Sequence, residues 1–141
     1  MVCTFFGHKN TQPYISNKLK EEIYKLIGLG VDTFLIGNNG NFDFIVQNIL
    51  SDICRTTPFI DYKIILSRID EQAISKNQDK TLFPLGFERF QPRFAISKRN
   101  EWLIKNSDFA IIYAENKLSN SYKLLTKSIK SGLTVINIAD N

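Results

Sequence analysis

The chain has 141 residues, is 43% hydrophobic, and sets 18 Lys and Arg against 14 Asp and Glu for a net charge of +4. That is enough for one packed core, too apolar for a disordered tail, and too evenly charged for a non-specific nucleic-acid surface, which needs a dense basic patch. No window has the length and apolarity of a membrane span, and no charged leader precedes a long apolar run, so a cytoplasmic protein with no membrane partner is expected.

In chain order, Val2 to Phe6 reads as a short buried strand stopped by Gly7, with His8 and Lys9 directly after it. Pro13 opens a helix to about Gly28, along which Ile15, Leu19, Ile23, Leu26 and Ile27 form one apolar stripe, and Gly28-Leu29-Gly30 ends it. A second strand over Val31 to Ile36 feeds Gly37-Asn38-Asn39-Gly40-Asn41-Phe42-Asp43, after which a helix runs to about Arg55 on Phe42, Ile45, Val46, Ile49 and Ile53. Gly and Asn tolerate positive φ, so this turn is expected to face backbone amides toward a ligand at the helix N-terminus. Asn41 is the expected N-cap, and Asp43 stands in the first turn, where a carboxylate suits the helix dipole or accepts hydrogen bonds from sugar hydroxyls.

Thr56-Thr57-Pro58 breaks that helix, and Ile60 to Leu66 gives a third strand. From Ser67 to Pro92 no period is sustained, which predicts a long loop or flap. Its segment from Leu82 to Phe90 is too apolar for a solvated linker. Phe83, Leu85, Phe87 and Phe90, with Trp102, exceed what a flap over a small sheet needs, and a patch of that size predicts a homo-oligomer. Arg93 to Lys105 recovers a helical period through Phe94, Trp102, Leu103 and Asn106, with Ser97 to Glu101 on the opposite face. Phe109 to Tyr113 is a fourth strand, Ala114 to Asn120 a polar loop, Ser121 to Lys130 a helix with Tyr122, Leu125 and Ile129 inward, and Leu133 to Ile138 a fifth strand.

Cys3 and Cys54 lie in apolar patterns and share no metal spacing with His8, so buried free thiols, no metal and no cofactor are expected. Short apolar strands alternating with helices predict an α/β fold, a Rossmann-like three-layer α/β/α sandwich with a mainly parallel five-stranded sheet, as one domain over 1–141. Ligands collect at the carboxyl ends of such strands. There the loops supply Gly7, His8 and Lys9, then Gly37, Asn38, Asn39, Gly40 and Asn41, then Ser119, Asn120 and Ser121.

Four segments, Cys3 to Lys9, Gly37 to Asp43, Arg93 to Asn100 and Asn106 to Tyr113, together resemble a small bacterial branch of the SLOG superfamily. These are Rossmann-like domains related to the lonely-guy phosphoribohydrolases and to DNA-processing proteins. The resemblance implies a nucleotide or nucleotide-derived ligand, with Gly37 and Gly40 matching the first glycine motif. It places Arg99, with Asn100 beside it, where the phosphoribohydrolases carry a catalytic or phosphate-binding arginine. Those enzymes follow the next strand with a Pro-Gly-Gly-x-Gly-Thr run and a glutamate that assists cleavage of an N-glycosidic bond. Here that loop, Ala114 to Ser121, has no glycine, and Glu115 could substitute only by folding inward. The expectation is therefore a binding protein that senses or sequesters such a molecule, with catalytic residues unknown. The alternatives are an N-glycosidase or deoxyribosyltransferase acting on a nucleoside monophosphate, and a structural oligomer with a vestigial pocket; specific nucleic-acid binding is not expected.

Overall fold

A computed structural model describes residues 1–139, with Gln78 described by its backbone alone. Among these residues lie strands β1 (Val2–Phe6), β2 (Thr33–Ile36), β3 (Asp61–Ile65), β4 (Thr81–Leu82), β5 (Phe109–Ile112) and β6 (Thr134–Asn137). The helices are α1 (Ser16–Gly28), α2 (Asn41–Thr56), α3 (Glu71–Asn77), α4 (Pro92–Lys105) and α5 (Asn120–Lys130). The strands form one sheet in the order β4-β3-β2-β1-β5-β6, and every pairing is parallel.

Period-two alternation assigns each strand residue to a layer. Cys3 and Phe5, Phe34 and Ile36, Tyr62 and Ile64, and Ile111 pack with α1 and α2 on one face. Phe6, Leu35, Ile65, Ala110 and Ile112 pack with α4 and α5 on the other. The result is a Rossmann-like three-layer α/β/α sandwich. Strands covered on both sides read as unbroken apolar runs, which is why they were visible in the sequence. Phe34, Ile36 and Leu50 are fully buried. Each such side chain contributes roughly 1.5–3 kcal/mol relative to exposure.

The sheet has six strands where the sequence predicts five. Thr81 and Leu82 pair with Ile64 and Ile65 at the sheet edge, and two residues are too few to show a period. The stretch read as a long irregular flap is largely ordered into α3, β4 and a 3-10 turn over Phe87–Arg89. No residue of α3 is buried, so it carries no apolar stripe to betray it; Asp70 caps it by accepting from the Ala73 amide at 3.1 Å.

Two helices present faces other than those expected. Along α4, Phe94 is exposed, while Ala95, Arg99, Asn100, Leu103 and Ile104 are buried. Arg99 thus shares a face with Leu103 instead of opposing it. Polar residues on the inward face erase the apolar signal. Along α5, Ile129 points outward, and Ser121 and Ser128 are buried with Leu124 and Leu125. Ser128 Oγ satisfies itself by donating back to the Leu124 carbonyl at 2.7 Å. The cap of α2 is Gly40, not Asn41, which is already its first helical residue.

The apolar residues expected to make one oligomer patch are divided. Phe83 and Phe90 each meet the Phe87 ring edge to face, Leu85 stands fully exposed, and Trp102 packs with the α4–α5 layer. Cys3 is buried and Cys54 half-buried, both as free thiols. Among the described residues no helix is long and apolar enough to cross a membrane.

Candidate functional site

The chain steps outward from β1 to β4 on one side, then returns to the other side of β1 for β5 and β6. Such a reversal opens a crevice at the carboxyl ends of the strands. A cleft of about 260 Å³ lies there. The loops after β1 and β2 contribute Gly7, Lys9, Gly37 and Asn39, and α2 contributes Asp43. Its other wall is Ile96, Arg99 and Asn100 from α4, with Asn120 and Ser121 from the start of α5.

Arg99 is the unusual member. It is only 4% exposed, yet no carboxylate lies within ion-pair distance of it among the described residues. Nη1 donates to Asn39 Oδ1, Nη2 donates to Asn100 Oδ1 at 3.0 Å, and the buried Nε bonds nothing. Leaving such a donor unmade costs about 1–3 kcal/mol. Burial pulls the guanidinium below its ordinary range, and the Asp43 charge pulls the other way. Asp43 in turn is raised by burial, against the opposing pull of the Asn39 amide and of Arg99. Two opposite charges therefore face the same cleft without closing into a contact pair.

The Gly-Asn-Asn-Gly turn works differently from the sequence reading. Positive φ occurs at Gly30, Gly86 and Gly132, not at Gly37 or Gly40, and Gly40 is extended at φ 179°. Close approach explains these glycines instead. A Cβ on Gly40 would stand 2.7 Å from the Lys9 Cα, and one on Gly7 would stand 2.3 Å from the Phe42 ring. The amides of the turn are also partly committed to protein: Asn39 N–H donates to Asp43 Oδ2 and Asn41 N–H to the Lys9 carbonyl, both at 2.9 Å. Arg99, more than the helix N-terminus, supplies donors to this cleft.

The remaining expected residues stand outside it. Asn41 and Gly40 build the turn. Ser119 is the N-cap of α5, its Oγ accepting from the Tyr122 amide at 3.2 Å and donating to the Asn116 carbonyl at 2.7 Å. His8 lies in a separate cleft of about 350 Å³ with Tyr14, Tyr113 and Glu115, its ring edge-on to Tyr113 at 5.7 Å. There Tyr113 donates to the Glu115 carboxylate and pairs with the Tyr14 hydroxyl at 3.0 Å. Burial, with Glu115 and Tyr14 adding to it, raises the Tyr113 phenol above its ordinary range. Lys9 borders both clefts, but Glu115 borders only this one. The glutamate does not reach the Arg99 cleft, whose lining carboxylate is Asp43.

Asn38 lines a third space, a groove of about 520 Å³ walled by Phe83, Phe87 and Phe90. It adjoins the Arg99 cleft, because Asn39 and Ile96 border both.

No family model matches this chain, and no curated protein matches it.

The sequence reading missed the phenylalanine groove and the Tyr14–Tyr113–Glu115 chain. The groove closes Asn38 and Ser67 to Asp70 against the Phe83–Phe90 segment, and the chain joins Tyr14 to Tyr113, so no single spacing announces either. The one available signal was the density of Phe between Leu82 and Phe90, which points to packing or to a ring-binding wall equally well.

Proposed function

We propose that this protein binds a nucleotide or nucleotide-derived small molecule at the carboxyl end of the sheet, seating an anionic group against Arg99. The observation that carries the reading is a buried guanidinium with an unbonded Nε and no contact carboxylate, lining an open cleft. A phosphate fits that deficit. With a swing of the side chain that brings the buried Nε–H to the cleft, its oxygens can take Nε–H and a remaining Nη2–H together, a two-point grip specific to arginine. Gly7, Gly37 and Ser121 line the cleft beside it, and the exposed Asn120 offers amide donors. Sensing or sequestration suits the site better than glycosidic cleavage: Glu115, the expected stand-in for the enzymes' glutamate, lies in another cleft, and the carboxylate that lines this one, Asp43, is already engaged by the Asn39 amide.

Calorimetric titration with AMP tests this. Arg99→Ala should weaken binding by about one to two orders of magnitude, since hydrogen bonds to charged groups contribute roughly 1.5–3 kcal/mol. Arg99→Lys, which keeps the charge in the core, should retain only part of the affinity because it lacks the fork. Lys123→Ala and Lys127→Ala alter exposed side chains. Their effect should stay under about threefold, the scale of a screened surface charge. AMP binding that survives Arg99→Ala, or falls equally in the lysine variants, would place the anion elsewhere.

A further inference from the structure

We infer that the phenylalanine groove beside the Arg99 cleft receives a flat aromatic ring carried by the same anionic ligand. The inference rests on the Arg99 reading and extends it to the other end of the molecule. At about 520 Å³ the groove has the size of a small-molecule site. Phe83 and Phe87 meet edge to face at 6.1 Å, and Phe87 and Phe90 do so at 5.1 Å. Such a cluster fixes its rings by mutual packing and presents rigid apolar walls. Ile69 is 58% exposed and Ile96 43% exposed, so the apolar wall continues to the mouth uncovered.

The polar members decide between a ring and an alkyl chain. Asn38 and Arg68 line the groove together with Ser67, Asp70 and Glu88, and the side chains of Asn38 and Arg68 make no hydrogen bond with other described residues. An alkyl chain would desolvate the half-buried Asn38 and leave it unpaired. A heteroaromatic ring packs against Phe83, Phe87 and Phe90, the last of which carries the Arg89 guanidinium at 5.1 Å and the Lys98 ammonium at 5.6 Å over its ring, and offers nitrogen or oxygen atoms at its edge to the same groups. Continuity through Asn39 and Ile96 means one ligand can span both spaces: Asn39 holds the Arg99 guanidinium and also borders the groove.

Paired titrations of AMP and ribose 5-phosphate separate this from the anion reading. The parent protein should bind AMP at least about tenfold tighter, the scale of a ring stacked on aromatic side chains. Phe90→Ser should remove most of that advantage, and Ile69→Asn, at an exposed position that folding does not depend on, should remove about threefold of it. Affinity for ribose 5-phosphate should not change in either variant. Equal affinity for the two probes, variants that weaken both alike, or variants that leave AMP binding untouched would overturn the ring assignment while the anion site stands. Hexyl phosphate binding more tightly than AMP would assign the groove to an alkyl chain, and a fall in self-association with Phe90→Ser would assign it to a second copy; each overturns the proposal. Should neither phosphate ester bind, both readings fall together.

Discussion

A Cβ on Gly37 would stand 2.8 Å from the guanidinium carbon of Arg99. The glycine directly after β2 therefore makes room for an arginine of α4, not for a left-handed turn. The obstructed atoms are the far end of a flexible side chain, so Gly37→Ala should leave the protein folded and push the guanidinium off Asn39 and Asn100. Its expected signature is a smaller loss of stability than at Gly40, with AMP affinity reduced by about tenfold, the scale of a lost charged hydrogen bond. Gly40→Ala should do the opposite. Its Cβ meets the Lys9 Cα at 2.7 Å, and backbone cannot swing aside. A loss of about 1–3 kcal/mol is expected, as for overpacking. Melts that rank the two variants the other way would contradict this account of the turn.

Gly7 and Phe42 form a second such pair. A Cβ at Gly7 would lie 2.3 Å from the Phe42 ring, which is 1% exposed at the first turn of α2. Gly7→Ala should therefore destabilise strongly, and Phe42→Leu alone should also destabilise by leaving part of a cavity. Combined, the smaller side chain makes room for the new methyl. Denaturant unfolding of the two single variants and the double should show coupling of about 0.5–3 kcal/mol, the range for residues in contact. Simple additivity would mean that the loop after β1 relaxes instead.

Ser119 illustrates a residue whose chemistry suits a ligand but whose position suits a helix. Its hydroxyl accepts from the Tyr122 amide, one of the donors α5 cannot satisfy internally. Ser119→Ala should cost about 1 kcal/mol of stability, the usual worth of an N-cap. AMP affinity should be unchanged. A variant of parental stability with weakened binding would return Ser119 to the ligand.

These pairs show why the fold was legible and the site only in outline. Strand and helix periods survive in the sequence because burial is repeated along each element: Phe34 and Ile36 mark one face of β2, and Leu35 the other. The order of the carboxyl-end loops follows from that alternation, so the sequence alone brings Gly7, Asn39 and Asn120 to one edge of the sheet. What a period cannot carry is the role of one residue. Arg99 breaks the apolar face of α4, so the helical period sets it opposite Leu103 and only the resemblance marks it as a site residue, whereas it is buried on the Leu103 face by packing over Gly37. β4 is two residues long and α3 buries nothing, so neither leaves a repeat to find.

Asp43 yields a prediction whose sign is fixed by its surroundings. Burial raises its pKa above the ordinary carboxylate value, and the Asn39 amide and Arg99 only partly offset this. An acid with a raised native pKa is relatively more favourable in the fold when protonated. Its contribution is best below the unfolded carboxylate pKa and is lost as pH rises through the native one, remaining lost at neutrality. Asp43→Asn removes the buried charge while its amide oxygen can still accept from Asn39 N–H. The variant should therefore melt above the parent at pH 7, and the gap should close as pH falls below the usual aspartate range. The same change removes a competitor for the Arg99 guanidinium, so a phosphate ester should bind more tightly to the variant at neutral pH. Parallel melts at pH 3 and pH 7, with AMP titrations at pH 7, decide the matter. An Asn variant that melts lower at neutral pH would show that attraction to Arg99 outweighs the burial of Asp43, and that the two residues act as an ion pair, not as opposite walls of a site awaiting an anion.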